Sequence, residues 1–313
     1  MPRRGVPGRP EPGYREPMRV IVNPAAAGGR VGREWPTLAP RLAGGASVVF
    51  TEAPGHATGL AEEAVREGED RVVVVGGDGT VCEAAAGLLR AGRGSLGILP
   101  LGTGNDAARS LGIPRDLDRA LEVARGATVR RADIMWVDGH PVLNAIGVGL
   151  VGDINRRAAR IKRVRGMGAY LAAAVASMAR YASPWVRVVT DDGGWDGAIT
   201  MMAIHNGPTT GGGFALTPAA DPWDGRLDLC LVPSVPVFGR PPRLVGAMLG
   251  RLDRWPDTFT RQTAVLEIEH DVPLPAHLDG NDHELTPPRT RFEVEPAALA
   301  VAVPPPDPAA GGG

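Results

Sequence analysis

The chain has 313 residues, 43% hydrophobic and 22% charged, which is enough to bury large cores and to build two domains. Its net charge of −1 lacks the basic excess of a dedicated nucleic-acid binder, so no nucleic-acid partner is expected. No apolar run approaches the roughly 20 residues of a spanning helix and no apolar signal segment opens the chain, which predicts a cytoplasmic protein without a transmembrane segment.

Residues 1–17 are rich in Pro, Gly and Arg and read as a disordered tail, as do residues 304–313. Between them the first half alternates regularly. A short apolar strand over 19–22 leads into a Gly-rich turn and a helical stretch through Leu42. A strand over 48–50 precedes a helix over 57–67. Four consecutive valines, 72–75, predict a strand buried on both faces, followed by a helix over 80–89 and another buried strand over 96–99. This βαβα order predicts a parallel sheet covered by helices, an α/β domain over residues 18–130. Beyond it, strand-like segments at 185–190, 198–204, 227–232, 265–269 and 291–295 alternate with Pro and Gly, and one helical region spans about 155–181. Strands outnumber helices there, so residues 131–303 are expected to form a mainly antiparallel β domain whose final strand returns towards the first domain.

Cys82 and Cys230 cannot form a disulfide framework and have no His/Cys cluster beside them to make a zinc site. Lys162 is the only lysine, and it follows Ile161, so the chain has no Walker A loop. A phosphotransferase built from this sequence must hold phosphate with backbone amides, arginines and metal. The sequence offers a place to do so. Gly76-Gly77-Asp78-Gly79-Thr80 lies between a buried strand and a helix, where glycine admits positive φ and close approach, and free helix N-terminal amides attract phosphate. Thr80 is placed to cap that helix. Asp78 beside phosphate calls for a bridging cation; alternatively the segment is a tight turn in which Asp78 caps its own backbone.

A second Gly-rich turn, Pro100-Leu101-Gly102-Thr103-Gly104-Asn105-Asp106, follows the next strand, and adjacent parallel strands deliver their C-terminal loops to one edge. Asp106 is a second carboxylate able to hold metal or water, or to cap the short turn that follows. The first strand ends in Asn23-Pro24-Ala25-Ala26-Ala27-Gly28-Gly29-Arg30, a third loop on that edge.

NPAAAGG, GGDGT and PLGTGND, in this order and spacing, resemble the diacylglycerol kinase catalytic-domain family, which includes sphingosine and ceramide kinases and soluble bacterial lipid kinases. His205-Asn206-Gly207, Gly211-Gly212-Gly213 and the PAADPWDGRLD segment over 218–228 are similar to that family's β-domain signature, and the likeness spans about residues 19–303. The resemblance implies ATP-dependent transfer of the γ-phosphate to a lipid hydroxyl, such as that of diacylglycerol, at a membrane surface. It implies ATP bound by Asn23, Pro24, Ala25, Ala26 and Ala27, by Thr51, by Gly77, Asp78, Gly79, Thr80, Val81, Cys82 and Glu83, and by Thr103; Gly76 and Asn105 belong to the same two loops. Asp78 and Asp106 would organise the catalytic Mg²⁺. A structural Mg²⁺ is implied at the Asp224 carboxylate, with backbone carbonyls of Asp221 and Arg226.

Two departures stand out. Cys82 replaces the family's usual Asn. In the Asp-Gly-Glu segment that supplies the family's general base, this chain has Leu278-Asp279-Gly280-Asn281-Asp282-His283-Glu284, with Asn281 in the Glu position. Asp279, Asp282 and Glu284 are the nearby carboxylates that could substitute. The basic cluster Arg156, Arg157, Arg160, Lys162, Arg163 and Arg165, ahead of an apolar segment, is expected either to face anionic lipid or to be a solvated helix face. NAD kinase, which shares GGDG, is the alternative enzyme reading. A nucleotide- or lipid-binding protein that lost its base at Asn281 is the non-catalytic one.

Overall fold

A computed structural model describes residues 18–42, 46–160 and 167–306; of the tails expected over 1–17 and 304–313, residues 1–17 and 307–313 lie outside it. Met18–Val22 (β1), Ala26–Leu42 (α1), Ser47–Phe50 (β2), His56–Arg66 (α2), Arg71–Gly76 (β3), Asp78–Ala91 (α3) and Ser95–Pro100 (β4) form the expected alternation, followed by Asp106–Ser110 (α4) and Leu117–Arg125 (α5). β2, β1, β3 and β4 are neighbours in that order and all parallel, with Val20 opposite Val73 and Val74 opposite Ile98. β3 and β4 are buried along their whole length, as strands covered by helices on both faces must be. α5 was not legible in the sequence. Asp116 caps it by accepting from the Arg119 amide, and its Ala120 and Ala124 join the core against β4.

The second half comprises Val129–Val137 (β5), His140–Val142 (β6), Ala145–Gly149 (β7), Leu150–Arg160 (α6), Met167–Arg180 (α7), Trp185–Thr190 (β8), Gly193–His205 (β9) and Leu227–Pro233 (β10). Arg240–Met248 (α8), Phe259–Thr263 (β11), Val265–His270 (β12), Leu274–Leu278 (β13), Asn281–Leu285 (β14) and Arg289–Ala302 (β15) complete it. The helical region expected over 155–181 corresponds to α6 and α7; Lys162, Arg163 and Arg165 lie outside the described residues.

Pairing within this half is antiparallel, and the two sheets close over a core of Met135, Ile146, Ile204, Leu229, Leu266 and Phe292. β9 is long enough to serve both sheets, pairing with β8 through its first half and with β7 and β10 through its second. β15 does the joining. It runs antiparallel to β5 and β12, then lies parallel to β4 with Ala300 opposite Ser95, so the last strand extends the first domain's sheet as expected. The fold is an α/β domain with a parallel sheet followed by an antiparallel β-sandwich.

Candidate active site

β1, β3 and β4 run the same way, so the loops that follow them emerge at one sheet edge. After β1 the chain turns sharply, with Ala27, Gly28 and Gly29 all at positive φ (50°, 66° and 84°). The Asn23 carboxamide fixes this loop, accepting from the Ala25 amide at 3.0 Å and donating to the Thr80 hydroxyl at 2.8 Å. Thr80 therefore does not cap α3, as expected from the sequence; it is buried one turn in and ties the helix to the first loop. Gly77 occupies the N-cap position with no side chain satisfying the helix end. The Thr80 and Val81 amides both donate to the Gly77 carbonyl, so the open end of α3 lies at Asp78 and Gly79, and a Cβ at Gly79 would meet nothing within 4 Å.

The loops after β3 and β4 pack glycine against glycine, and the Leu101 amide donates to the Gly76 carbonyl at 2.9 Å. A Cβ on Gly102 would lie 2.3 Å from the Gly77 Cα, which no neighbouring main chain can accommodate. Asn105 stiffens the turn after β4: its carboxamide accepts from the Gly102 amide at 2.8 Å and donates to the Gly102 carbonyl at 3.1 Å. With φ at 54°, Asn105 is the N-cap residue of α4, so Asp106 is not the cap expected of it.

Asp78 and Asp106 come together over Gly104, where a Cβ would sit 2.9 Å from Asp78 Oδ2 and 3.2 Å from Asp106 Oδ2. Asp78 Oδ1 accepts from the Ala107 amide at 2.9 Å, at the head of α4, and its carboxylate also takes the Asn105 amide and its own. Burial pushes the Asp78 carboxyl above its ordinary range, the Ala107 amide opposes this, and the charge of Asp106 adds to it. Asp106 is held by Arg109 and the Thr209 hydroxyl, and by the Gly212 amide at 2.6 Å. Two oxygen donors meeting where glycine leaves space, with one carboxyl destabilised by the other, fit a hard divalent cation.

Two cavities meet at this point. One, of about 330 Å³, is lined by Asn23, Ala25, Ala26, Ala27, Thr51, Gly77, Asp78, Gly79, Thr80, Glu83 and Thr103, together with Glu52–Pro54 and Gly102. The structure thus gathers most of the expected nucleotide set around one space. Gly76, Pro24, Val81 and Asn105 support it from behind without lining it. Glu83 has a structural duty as well: its carboxylate accepts from the Gly55 and Ala57 amides and so caps α2.

The second cavity, of about 360 Å³, shares Asp78 and Thr103 with the first and extends under Cys82, Asp106, Asn144, Asn155, Phe214, Leu216, His277 and Asp279. Asp279 and Gly280 form the two-residue turn between β13 and β14, both at positive φ as a type I′ turn requires. Asp279 Oδ1 accepts from the Asn144 amide at 3.0 Å and the Ala145 amide at 2.8 Å, and Oδ2 from the Leu143 amide at 2.7 Å. The Cys82 thiol also hydrogen-bonds this carboxylate. Burial and the charge of Asp279 push the Cys82 thiol well up, so it remains protonated.

The other two candidate carboxylates of this run do not reach the cavity. Asp282 and Glu284 share one face of β14 and grip Arg156 of α6, at 2.8 Å and 3.0 Å. Arg156 is thereby spent, and Arg157 pairs with Asp153. Asp282 and Glu284, two apart on β14, share its outer face, whereas Asp279 stands in the turn before the strand and points inward. Sequence reasoning also missed Arg109, Thr209, Asn144 and His277. None belongs to a recognisable spacing; they reach the site only because β7, β13 and the 209–214 turn pack beside α4.

The remaining expected site lies elsewhere. In the 221–226 turn, between β9 and β10, Asp224 Oδ1 accepts from the Arg226 amide and Asp221 Oδ1 from the Trp223 amide. Burial raises the Asp224 carboxyl, and the charges of Asp221 and Asp133 raise it further against the Arg226 amide. An oxygen-lined turn whose negative charge is only partly offset, by Arg226 and Gln262, fits a hard cation. Among the described residues, no three His, Cys, Asp or Glu side chains are grouped to hold one.

Comparison with known proteins agrees with this arrangement. A family model described as the diacylglycerol kinase catalytic domain matches residues 17–137, and one described as the YegS C-terminal NAD kinase beta sandwich-like domain matches residues 144–303. A probable lipid kinase YegS-like protein of Pseudomonas aeruginosa is 35% identical over 264 residues, covering 82% of this chain and 84% of that protein. The corresponding protein of Chromohalobacter salexigens is 33% identical over 260 residues, with 80% and 81% covered. The crystal structure of a putative diacylglycerol kinase from Bacillus anthracis superposes with a TM-score of 0.76 at 26% identity, covering 94% of this chain and 98% of that one. The chain belongs to the diacylglycerol kinase catalytic-domain family, on the branch of the YegS-like lipid kinases.

Proposed function

We propose that the protein is an ATP-dependent lipid kinase that transfers the γ-phosphoryl group to a hydroxyl of a diacylglycerol-type lipid. The observation that carries the reading is the pair of cavities sharing Asp78 and Thr103 as a common wall. A triphosphate in the smaller space, lying on the open amides of α3, has its γ-phosphate at that wall. A hydroxyl in the larger space then stands in line behind it. The larger cavity has an apolar side formed by Val151, Phe214 and Leu216, suited to the stem of a lipid. NAD would need no such wall.

The protein's own residues position and neutralise. Asn23, Gly77, Gly79 and Gly102 keep the main chain close to the phosphates. Asp78 and Asp106 are the residues that would hold Mg²⁺, whose charge offsets that of the triphosphate when bound; Asp224 with the Asp221 and Arg226 carbonyls would hold a second, structural one. The acceptor oxygen attacks the γ-phosphorus as the bond to the β-phosphate bridging oxygen breaks, and ADP leaves with that electron pair. Because the transition state is loose, the hydroxyl proton is lost late, to water at the cavity mouth. A strong base at Asn281 is then dispensable. Asp279, its oxygens already taken by three amides and a thiol, fixes the acceptor wall.

Incubating the protein with γ-labelled ATP, Mg²⁺ and a panel of diacylglycerol, phosphatidylglycerol, a sphingoid base and NAD tests this. Label in a lipid is expected; label in NAD alone, or ATP binding with transfer to no lipid, would reject it. Asn281→Glu should raise the rate if a nearby base limits turnover, and leave it unchanged if positioning suffices.

A further inference from the structure

We infer that the outer face of α8, with the turn before it, docks the protein onto an anionic lipid bilayer; the inference rests on the lipid kinase reading and names where the substrate's membrane is met. α8 is apolar on both sides. Its inner side, Leu244 and Ala247, packs with Leu252 into the cluster that includes Phe214, Leu216, Leu150 and Ile154. Its outer side carries Pro241, Pro242, Val245, Met248 and Leu249 at helical spacing, after Val237 and Phe238 in the preceding turn. Phe238 is 83% exposed, Met248 and Leu249 59% each and Val245 53%. A contiguous apolar face left at a surface marks what it touches.

The face is held rigidly. Arg240 is buried and donates to the Met178 and Tyr181 carbonyls at 2.6 Å and 2.9 Å, clamping the start of α8 to the end of α7. Arg243 pairs with Asp257 and lies 3.6 Å above the Trp255 ring. With those two arginines turned inward, Arg180, Arg251 and Arg254 flank the stripe, exposed and, among the described residues, without an ion pair. Asp253 is the only acidic residue over 236–255. An apolar stripe rimmed by free arginines complements the headgroup and acyl layers of an anionic bilayer, whereas a second copy would bring the same positive rim against itself.

The position suits the chemistry. A Cβ on Gly250, just past α8, would lie 3.2 Å from the Ala215 side chain, and Ala215 sits between Phe214 and Leu216 of the acceptor cavity. One residue layer separates the docking face from the cavity wall, so a lipid hydroxyl has a short path from bilayer to γ-phosphate.

Co-sedimentation of the full chain with vesicles of phosphatidylglycerol and phosphatidylcholine, against phosphatidylcholine alone, tests the inference. Binding to the anionic vesicles is expected, weakened at least tenfold in a Phe238→Asp, Leu249→Asp double variant. Arg251→Ala and Arg254→Ala should each cost about fivefold on anionic vesicles at low salt. Phosphorylation of a short-chain, water-soluble diacylglycerol should stay within about twofold in all of these variants, while phosphorylation of vesicle-embedded lipid falls. Variants that sediment like the wild type overturn the inference. So does a concentration-dependent dimer in analytical ultracentrifugation that the double variant abolishes without changing vesicle binding. Vesicle binding that depends on the stripe, with no lipid phosphorylated, would uphold the docking face and reject the kinase reading.

Discussion

The strand-end loops of the first half and the β13–β14 hairpin of the second both set acidic residues beside glycine, yet they use them oppositely. In the parallel sheet, direction alone brings loops to one edge, so Asp78 and Asp106, far apart in the chain, meet over Gly104. In the hairpin, Asp279, Asp282 and Glu284 are near neighbours in the chain and part company. The turn aims Asp279 inward at the amides of residues 143–145, and the pleat sends the other two out to Arg156. Closeness in sequence is a poor guide to shared chemistry in an antiparallel hairpin, whereas strand direction is a good one at the C-terminal edge of a parallel sheet.

That contrast can be broken by substitution. Asp78→Asn keeps an acceptor for the Ala107 amide but removes the charge, so phosphoryl transfer should fall by roughly 10³-fold or more with the melting temperature little changed. Asp279→Asn should act on the fold as well, because an amide group would face three N–H donors; a loss of about 2–4 kcal/mol in chemical denaturation is expected, alongside reduced turnover. A variant that is inactive but fully stable would make Asp279 catalytic instead of architectural.

The β domain also carries a pH dependence, through His277 on β13 and His205 on β9. Burial lowers His277 to about 4 and His205 to about 3, so both are neutral in the folded protein at neutral pH. Both take up protons more readily when unfolded. The stability they confer is therefore intact above about pH 6.5 and drains away as pH falls towards 4, by roughly 3 kcal/mol for His277. Denaturation curves across that range should steepen accordingly, and His277→Gln should flatten them.

On the loop side, Gly102→Ala should cost about 1–3 kcal/mol, since the added methyl meets the Gly77 main chain, and should raise the KM for ATP more than it lowers kcat. Smallest of all, Asp282→Asn or Glu284→Gln should change turnover less than about twofold and stability by less than about 1 kcal/mol, as expected for partly exposed ion pairs. A large loss of turnover in either would put the outer face of β14 back in the reaction.

The βαβα pattern, the buried valine strand and the three Gly-rich loops were legible because local composition encodes them: β-branched runs for strands covered on both faces, glycine where main chains must touch. The helix caps were not. Thr80 and Asp106 look like caps by residue type, but the main chain starts their helices three residues and one residue earlier, respectively, than such caps require, freeing their side chains for Asn23 and for Arg109, Thr209 and Gly212. Short strands such as β6, β7, β13 and β14 were missed, since three to five residues carry too little periodicity to stand out.

By itself the sequence determined the class of fold, the edge at which the three Gly-rich loops gather and the lack of a Walker lysine there, because each depends on residues close along the chain. Tertiary structure decided which carboxylates share a space, which arginines are consumed by ion pairs and which apolar helix face is left uncovered. Those outcomes depend on strand pairing and helix packing between segments distant in the chain, over a hundred residues for Arg156 against Asp282 and Glu284, and no local pattern records them.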